Sequence, residues 1–215
     1  MNSVIYILFA EIEYFCIDLN KFSDLRLSET VIELADILDI YGAHSYLPPE
    51  NAYENWKGYM EKMGRALAAK PKPIWLDEYN VLKEWDSHVR DQPAHGTYVA
   101  EVIAASLDAK IQNTMIWALF DAQYPGPRET FHGENSFYHG VHRWGTTKFP
   151  SDSLENPTHP YPVYYAFSML SKYMGGGMGT KVYESKGADG IRINAVEQTD
   201  GTWRFLVINS NATAK

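Results

Sequence analysis

Short apolar runs alternate with stretches of helical periodicity along most of the chain, and this alternation limits the folds open to it. Val4-Ile5-Tyr6-Ile7-Leu8-Phe9 reads as a first strand, followed by a helix over about Ser28 to Ala35. An apolar stretch from Ile37 to Ala43 runs into His44-Ser45-Tyr46, and Pro48-Pro49 stop it. A helix over about Ala52 to Ala69 carries the stripe Tyr53, Trp56, Met60, Met63, Leu67, whose spacing defines one face. Ile74-Trp75-Leu76 begins a strand that ends in Asp77-Glu78-Tyr79-Asn80. The next helix, about Gly96 to Lys110, should turn Val99, Val102, Ile103 and Leu107 inward. Asn113 to Phe120 reads as a strand buried on both faces, and a helix over about Val163 to Met174 ends at three glycines.

Strand and helix in alternation imply a parallel sheet with right-handed crossovers. No strand is followed by a glycine-rich phosphate loop, which disfavours dinucleotide and P-loop folds. A parallel barrel fits, and its active site lies at the C-terminal ends of its strands. His44, Tyr46, Glu78, Asn80 and Trp117 all fall there. The pattern changes after Gly179. Ile191, Ile193 and Ala195 alternate with polar residues, Asp200-Gly201 marks a hairpin, and Trp203, Phe205 and Val207 alternate again. The expected organisation is therefore a barrel portion over 1–179 and the start of an antiparallel sandwich over 180–215.

Charge narrows the partners. With 19 basic and 27 acidic residues the net charge is −8, which argues against nucleic acid or an anionic membrane. The lone Cys16 excludes an intrachain disulfide framework and a cysteine-rich zinc site. His132, His139, His142 and His159 sit in the long segment from Asp121 to Pro160 at spacings matching no metal-ligand pattern, so no metal or cofactor is expected. A 14% aromatic content suits stacking on sugars and equally suits a rich core.

Glu78 is the sharpest candidate for chemistry. A carboxylate at a barrel mouth can attack an anomeric carbon, provided a second carboxylic acid protonates the leaving oxygen. An exposed acidic residue at a strand end would look the same. His44 and Tyr46, two apart in a strand, share a face; they can serve a carboxylate and a sugar, or simply pack there. Trp117 can stack on a sugar ring or fill the core.

The segment Lys72-Pro73-Ile74-Trp75-Leu76-Asp77-Glu78-Tyr79-Asn80 resembles the seventh-strand nucleophile motif of clan A glycoside hydrolases. Asp39 to Tyr46 resembles their sixth strand with its His-x-Tyr pair. Asn113 to Phe120 resembles the eighth strand, whose tryptophan floors the cleavage subsite. Pro162 to Tyr173 resembles the closing helix, and Lys181-Val182-Tyr183-Glu184 the entry into an appended sandwich, as in the β-xylosidase, arabinofuranosidase and agarase-like families. The resemblance implies an α/β fold, a partial (β/α)8 TIM barrel comprising about strands 5–8 and then the first sandwich strands. It also implies a retaining O-glycosidase acting on oligo- or polysaccharide. Glu78 would be the nucleophile and His44, Tyr46, Asn80 and Trp117 would serve the substrate, with Asn80 in a supporting place. The family's acid/base is a glutamate preceded by asparagine on the fourth strand, and no Asn-Glu dipeptide precedes Glu78. A full barrel needs about 250 residues, so the chain is expected to be the C-terminal part of a longer enzyme, weakly active or inactive alone. A non-catalytic carbohydrate-binding protein is the alternative.

Overall fold

The computed structural model describes residues 36, 39–81, 92–117, 122–123, 137–138, 141–142, 160–175, 180–185, 188 and 190–210. The expected first strand (Val4 to Phe9) and first helix (Ser28 to Ala35) lie outside them, as does most of the Asp121 to Pro160 segment. Of its four histidines only the backbone of His142 is described.

A three-stranded sheet in the order β1 (Tyr41–Leu47), β2 (Ile74–Val81), β3 (Asn113–Ile116) is parallel throughout. Helix α1 (Ala52–Ala66) joins β1 to β2, and helix α2 (Pro93–Asp108) follows β2. All five residues of the α1 stripe are buried, Trp56 and Met60 almost completely, and Leu67 caps the helix end. The helix stops three residues short of its sequence reading. At the C-cap Leu67, backbone bonds go to both Met63 and Arg65, and the prolines at 71 and 73 cannot continue a helix.

Helix α2 starts three residues earlier than its periodicity suggests. Pro93 sits in its first turn, where a fixed φ is pre-organised and a missing N–H costs nothing. Its burial extends well beyond one stripe and includes Tyr98, Val99, Val102, Ile103, Ala104 and Ala105, while Leu107 is only partly covered. Gly96 explains part of this. A Cβ there would stand 3.2 Å from the Ala166 Cβ of helix α3 (Pro162–Met174), so the small residue lets two helices approach closely.

The reading of Asn113 to Phe120 as a strand buried on both faces needs correction. Strand β3 ends at Ile116 and is an edge of the described sheet, with Met115 and Trp117 each 39% exposed. The segment from Asp121 to Pro160 contains short two-residue strands, β4 (Ala122–Gln123), β5 (Phe137–Tyr138) and β6 (Val141–His142), paired antiparallel in the order β4-β6-β5.

The C-terminal unit is an antiparallel meander of β7 (Lys181–Ser185), β8 (Ile191–Glu197) and β9 (Trp203–Asn209). Its β8–β9 turn forms as the sequence suggests. Gly201 adopts φ +81°, and Asp200 accepts from the Thr202 N–H and hydroxyl at 2.9 and 2.7 Å. On β9, Leu206 and Ile208 enter the core beside α2 and α3, whereas Trp203, Phe205 and Val207 form an exposed outer face. Arg192 of β8 fastens this sheet to the helices. It donates to Glu101 at 2.9 Å and to Glu54 at 3.1 Å, and its guanidinium lies 3.2 Å over the Tyr53 ring. Asn194 adds a bond to Asp108, which also accepts from the Tyr53 hydroxyl.

Candidate active site

The C-terminal ends of β1 and β2 bring the candidate residues together. On β1, Gly42, His44 and Tyr46 follow at intervals of two and therefore share a face. Strand β2 does not keep pace with its neighbours. Ala43 pairs with Leu76 but His44 pairs with Glu78, and across the other edge Leu76 pairs with Thr114 while Tyr79 pairs with Ile116. Relative to both neighbours β2 holds one extra residue, a bulge in a central strand at Asp77-Glu78. Bulges re-aim side chains, and this one turns two consecutive carboxylates toward the same face of β1.

Glu78 accepts a hydrogen bond from the Tyr46 hydroxyl at Oε1. Asp77 lies one step further back. Its Oδ2 occupies the space a Cβ on Gly42 would fill, and its Oδ1 stands 3.9 Å from His44 Nδ1. That Oδ1 is buried and has no hydrogen-bond partner among the described residues. Burial pushes the Asp77 carboxyl above the ordinary aspartate range, and the neighbouring His44 pulls it back by a smaller amount. The main chain of His44 is held from behind, where the Tyr59 hydroxyl of α1 donates to its carbonyl at 3.1 Å.

Asn80 is wholly buried and stands behind the surface that His44 and Glu78 present. Its Nδ2 donates to the Trp117 carbonyl, which fixes the amide orientation. Its Oδ1 then accepts from the Val81 N–H at 2.8 Å and faces His95 Nε2 at 2.9 Å. Because that oxygen can only accept, His95 carries its proton on Nε2. The Trp117 N–H meanwhile donates to the Tyr79 carbonyl at 3.0 Å. Trp117 is thus anchored through its backbone on both sides and is 39% exposed.

Below the site the support is aromatic. Tyr79 is buried edge-on to Trp56 with centroids 5.8 Å apart, and the Trp56 indole donates to the Tyr98 hydroxyl at 2.9 Å. Tyr98 in turn lies 2.9 Å from the Asn80 carbonyl. Sequence reasoning named Glu78, His44, Tyr46, Asn80 and Trp117, which the structure brings together, and did not name Asp77 or His95 beside them. Strict alternation assigns Asp77 to the face opposite Glu78, and nothing in the sequence marks the bulge. His95, near the start of a helix, carries no pattern of its own.

Among the described residues no group of three or more His, Cys, Asp or Glu is arranged to hold a metal ion. None of their helices is long and apolar enough to cross a membrane.

No family model matches the chain, and no curated protein matches it. Solved structures do. The chain is similar to an endo-β1,6-glucanase at a TM-score of 0.55 and 17% identity, over 84% of this chain and 36% of that one. A β-xylosidase from Caulobacter crescentus matches at a TM-score of 0.45 and 16% identity, over 79% of this chain and 36% of that one. An endo-1,4-β-D-mannanase from Thermotoga petrophila matches at 0.36 and 15%, over 65% of this chain and 36% of that one. The chain therefore spans 36% of the length of each of these proteins. These structural neighbours are glycoside hydrolases, and the likeness to the glucanase is one of fold.

Proposed function

We propose that this chain is the nucleophile-bearing part of a retaining glycoside hydrolase of clan A, acting on oligo- or polysaccharide. On this reading β1, β2 and β3 are the sixth, seventh and eighth strands of a (β/α)8 barrel. The strand expected before them completes the set of about four, and 180–215 begins an appended β-sandwich. The Tyr46 hydroxyl donating to Glu78 at the C-terminal ends of parallel strands carries the reading. A hydroxyl there holds the carboxylate in one orientation.

In the first step Glu78 Oε attacks the anomeric carbon, the glycosidic C–O bond breaks, and a glycosyl ester forms on the enzyme. The leaving oxygen takes a proton from a carboxylic acid contributed from outside the residues assigned here. Water then attacks the same carbon, passing its proton to the carboxylate that supplied one in the first step, and this releases the sugar and restores the Glu78 carboxylate. His44 and Trp117 hold the sugar by hydrogen bonding and stacking, with Asn80 fixing the backbone of Trp117 from beneath.

A mechanism-based probe tests the nucleophile without the missing acid. A 2,4-dinitrophenyl leaving group departs unprotonated, and a 2-fluorine slows breakdown of the ester. The chain is incubated with a panel of 2,4-dinitrophenyl 2-deoxy-2-fluoro-pentosides and -hexosides, then analysed by intact mass and peptide mapping. The expected result is one added glycosyl group on the peptide carrying Glu78, lost in Glu78→Gln. A label on another carboxylate would overturn the assignment. No label with any sugar, together with oligosaccharide binding equal in wild type and Glu78→Gln, would leave the non-catalytic carbohydrate-binding reading.

A further inference from the structure

Asp77 takes no part in the two-step chemistry above, yet it occupies a constructed place. The bulge that delivers it is met by both neighbouring strands, so an irregularity is held in the middle of the sheet where regular pairing would otherwise be favoured. Gly42 leaves the room its Oδ2 fills. Its Oδ1 is buried with no hydrogen-bond partner among the described residues, a costly state for a carboxylate oxygen. Among the described residues the basic group within 4 Å of it is His44 Nδ1 at 3.9 Å. Glu78, the other carboxylate on this face, is already engaged by Tyr46. Tyr59 holds the main chain of His44 through its carbonyl, beside the ring that faces Asp77.

Taking Glu78, His44 and Tyr46 as the sugar site, we propose that Asp77 is a positioning residue that sets the tautomer of His44. Its carboxylate keeps the proton of the neutral imidazole on Nδ1, and Nε2 becomes an acceptor for a sugar hydroxyl. A carboxylate can only accept, so the nitrogen facing it must carry the proton. The two ring nitrogens differ in role as a result, and the His44 side chain keeps 30% of its surface exposed. The specificity that follows is a demand for a donor. A free hydroxyl at that position of the sugar is bound, while a deoxy or O-methyl sugar leaves Nε2 unmatched.

Ring-nitrogen spectroscopy tests this without turnover. The full chain is labelled with 15N-histidine, and its long-range proton–nitrogen correlations are recorded at mildly alkaline pH in wild type and Asp77→Asn, with His44→Gln as the assignment control. The expected wild-type pattern for His44 is protonated Nδ1 and bare Nε2. In Asp77→Asn the amide can present its N–H to the ring, and the two nitrogens should exchange shifts. Bare Nδ1 or an imidazolium in the wild type overturns the proposal, and so does an unchanged pattern in Asp77→Asn. If Asp77→Asn does not fold, the wild-type pattern decides alone. Failure here leaves labelling of Glu78 by the fluoroglycosides untouched, so the two readings fail separately.

Discussion

Replacing Gly42 by alanine should destabilise the fold only because Asp77 is there. A Cβ at position 42 would stand 2.5 Å from Asp77 Oδ2 and 3.4 Å from its Cγ. The carboxylate oxygen would have to withdraw by about 0.9 Å to reach ordinary contact. Overpacking of this kind costs about 1–3 kcal/mol in a well-packed site. Gly42 is a strand residue whose backbone is outside the left-handed region, so alanine meets no strain of its own. With the carboxylate removed in Asp77→Ala, the same Gly42→Ala change should become neutral or stabilise by about 0.4–1 kcal/mol, through the smaller entropy of the unfolded chain. The two backgrounds should therefore differ by about 1–4 kcal/mol in the effect of one methyl group. Urea unfolding of wild type, both single variants and the double variant measures this coupling, with an unchanged urea slope as the check that only stability moved. A coupling within about 0.5 kcal/mol of zero is what independent sites give, and it would refute the packing of Asp77 on Gly42.

Other outcomes follow from the same geometry. Tyr98→Phe should lose about 1–3 kcal/mol in denaturant unfolding, because the Trp56 indole N–H is left buried without its acceptor; a loss below half that range would mean another partner takes over. Tyr46→Phe should lower the rate of fluoroglycoside labelling about 10- to 150-fold, the equivalent of a hydrogen bond to a charged group at about 1.5–3 kcal/mol, without reducing stability by as much. Asp77 binds its proton more tightly folded than unfolded, since burial raises its carboxyl above the ordinary value of 3.8. Its contribution to stability is thus complete below that value and is lost as pH rises through the raised one. Asp77→Asn should gain on wild type in urea midpoint between acid and neutral pH, and a difference that stays flat over that interval would contradict the assignment.

The order of elements was legible because each carries its own periodicity. The stripe from Tyr53 to Leu67 has a spacing that only a helix turns to one side, and every member is buried. Asp200-Gly201 announced its turn through the one residue that adopts a positive φ there without strain. The fate of Trp117 was not legible. Apolar neighbours read as burial on both faces, but exposure depends on which strand lies beside β3, and that is a property of the assembled sheet. The outer face of Trp203, Phe205 and Val207 follows the same rule, since alternation identifies two faces without saying which meets the helices. At the candidate site, the neighbourhood of Glu78, His44 and Tyr46 was legible because strand-end polar residues stand out against apolar runs. Asp77 was hidden because its place depends on a pairing offset between strands far apart in sequence.

That offset makes β2 a strand in which counting matters as much as composition. Leu76 and Tyr79 are three apart, yet both are wholly buried in the same core cluster, so the parity of the strand reverses between them. Everything before the reversal is in one phase and everything after it in the other. A substitution at Asp77 changes one side chain and leaves the phase intact. Deleting the residue would restore a regular strand in which Leu76 and Tyr79, then two apart, both stay inside and Glu78 keeps its face, while the Asp77 carboxylate is lost. The number of residues between Leu76 and Tyr79 therefore decides whether this strand presents one carboxylate or two on the face it shares with His44 and Tyr46.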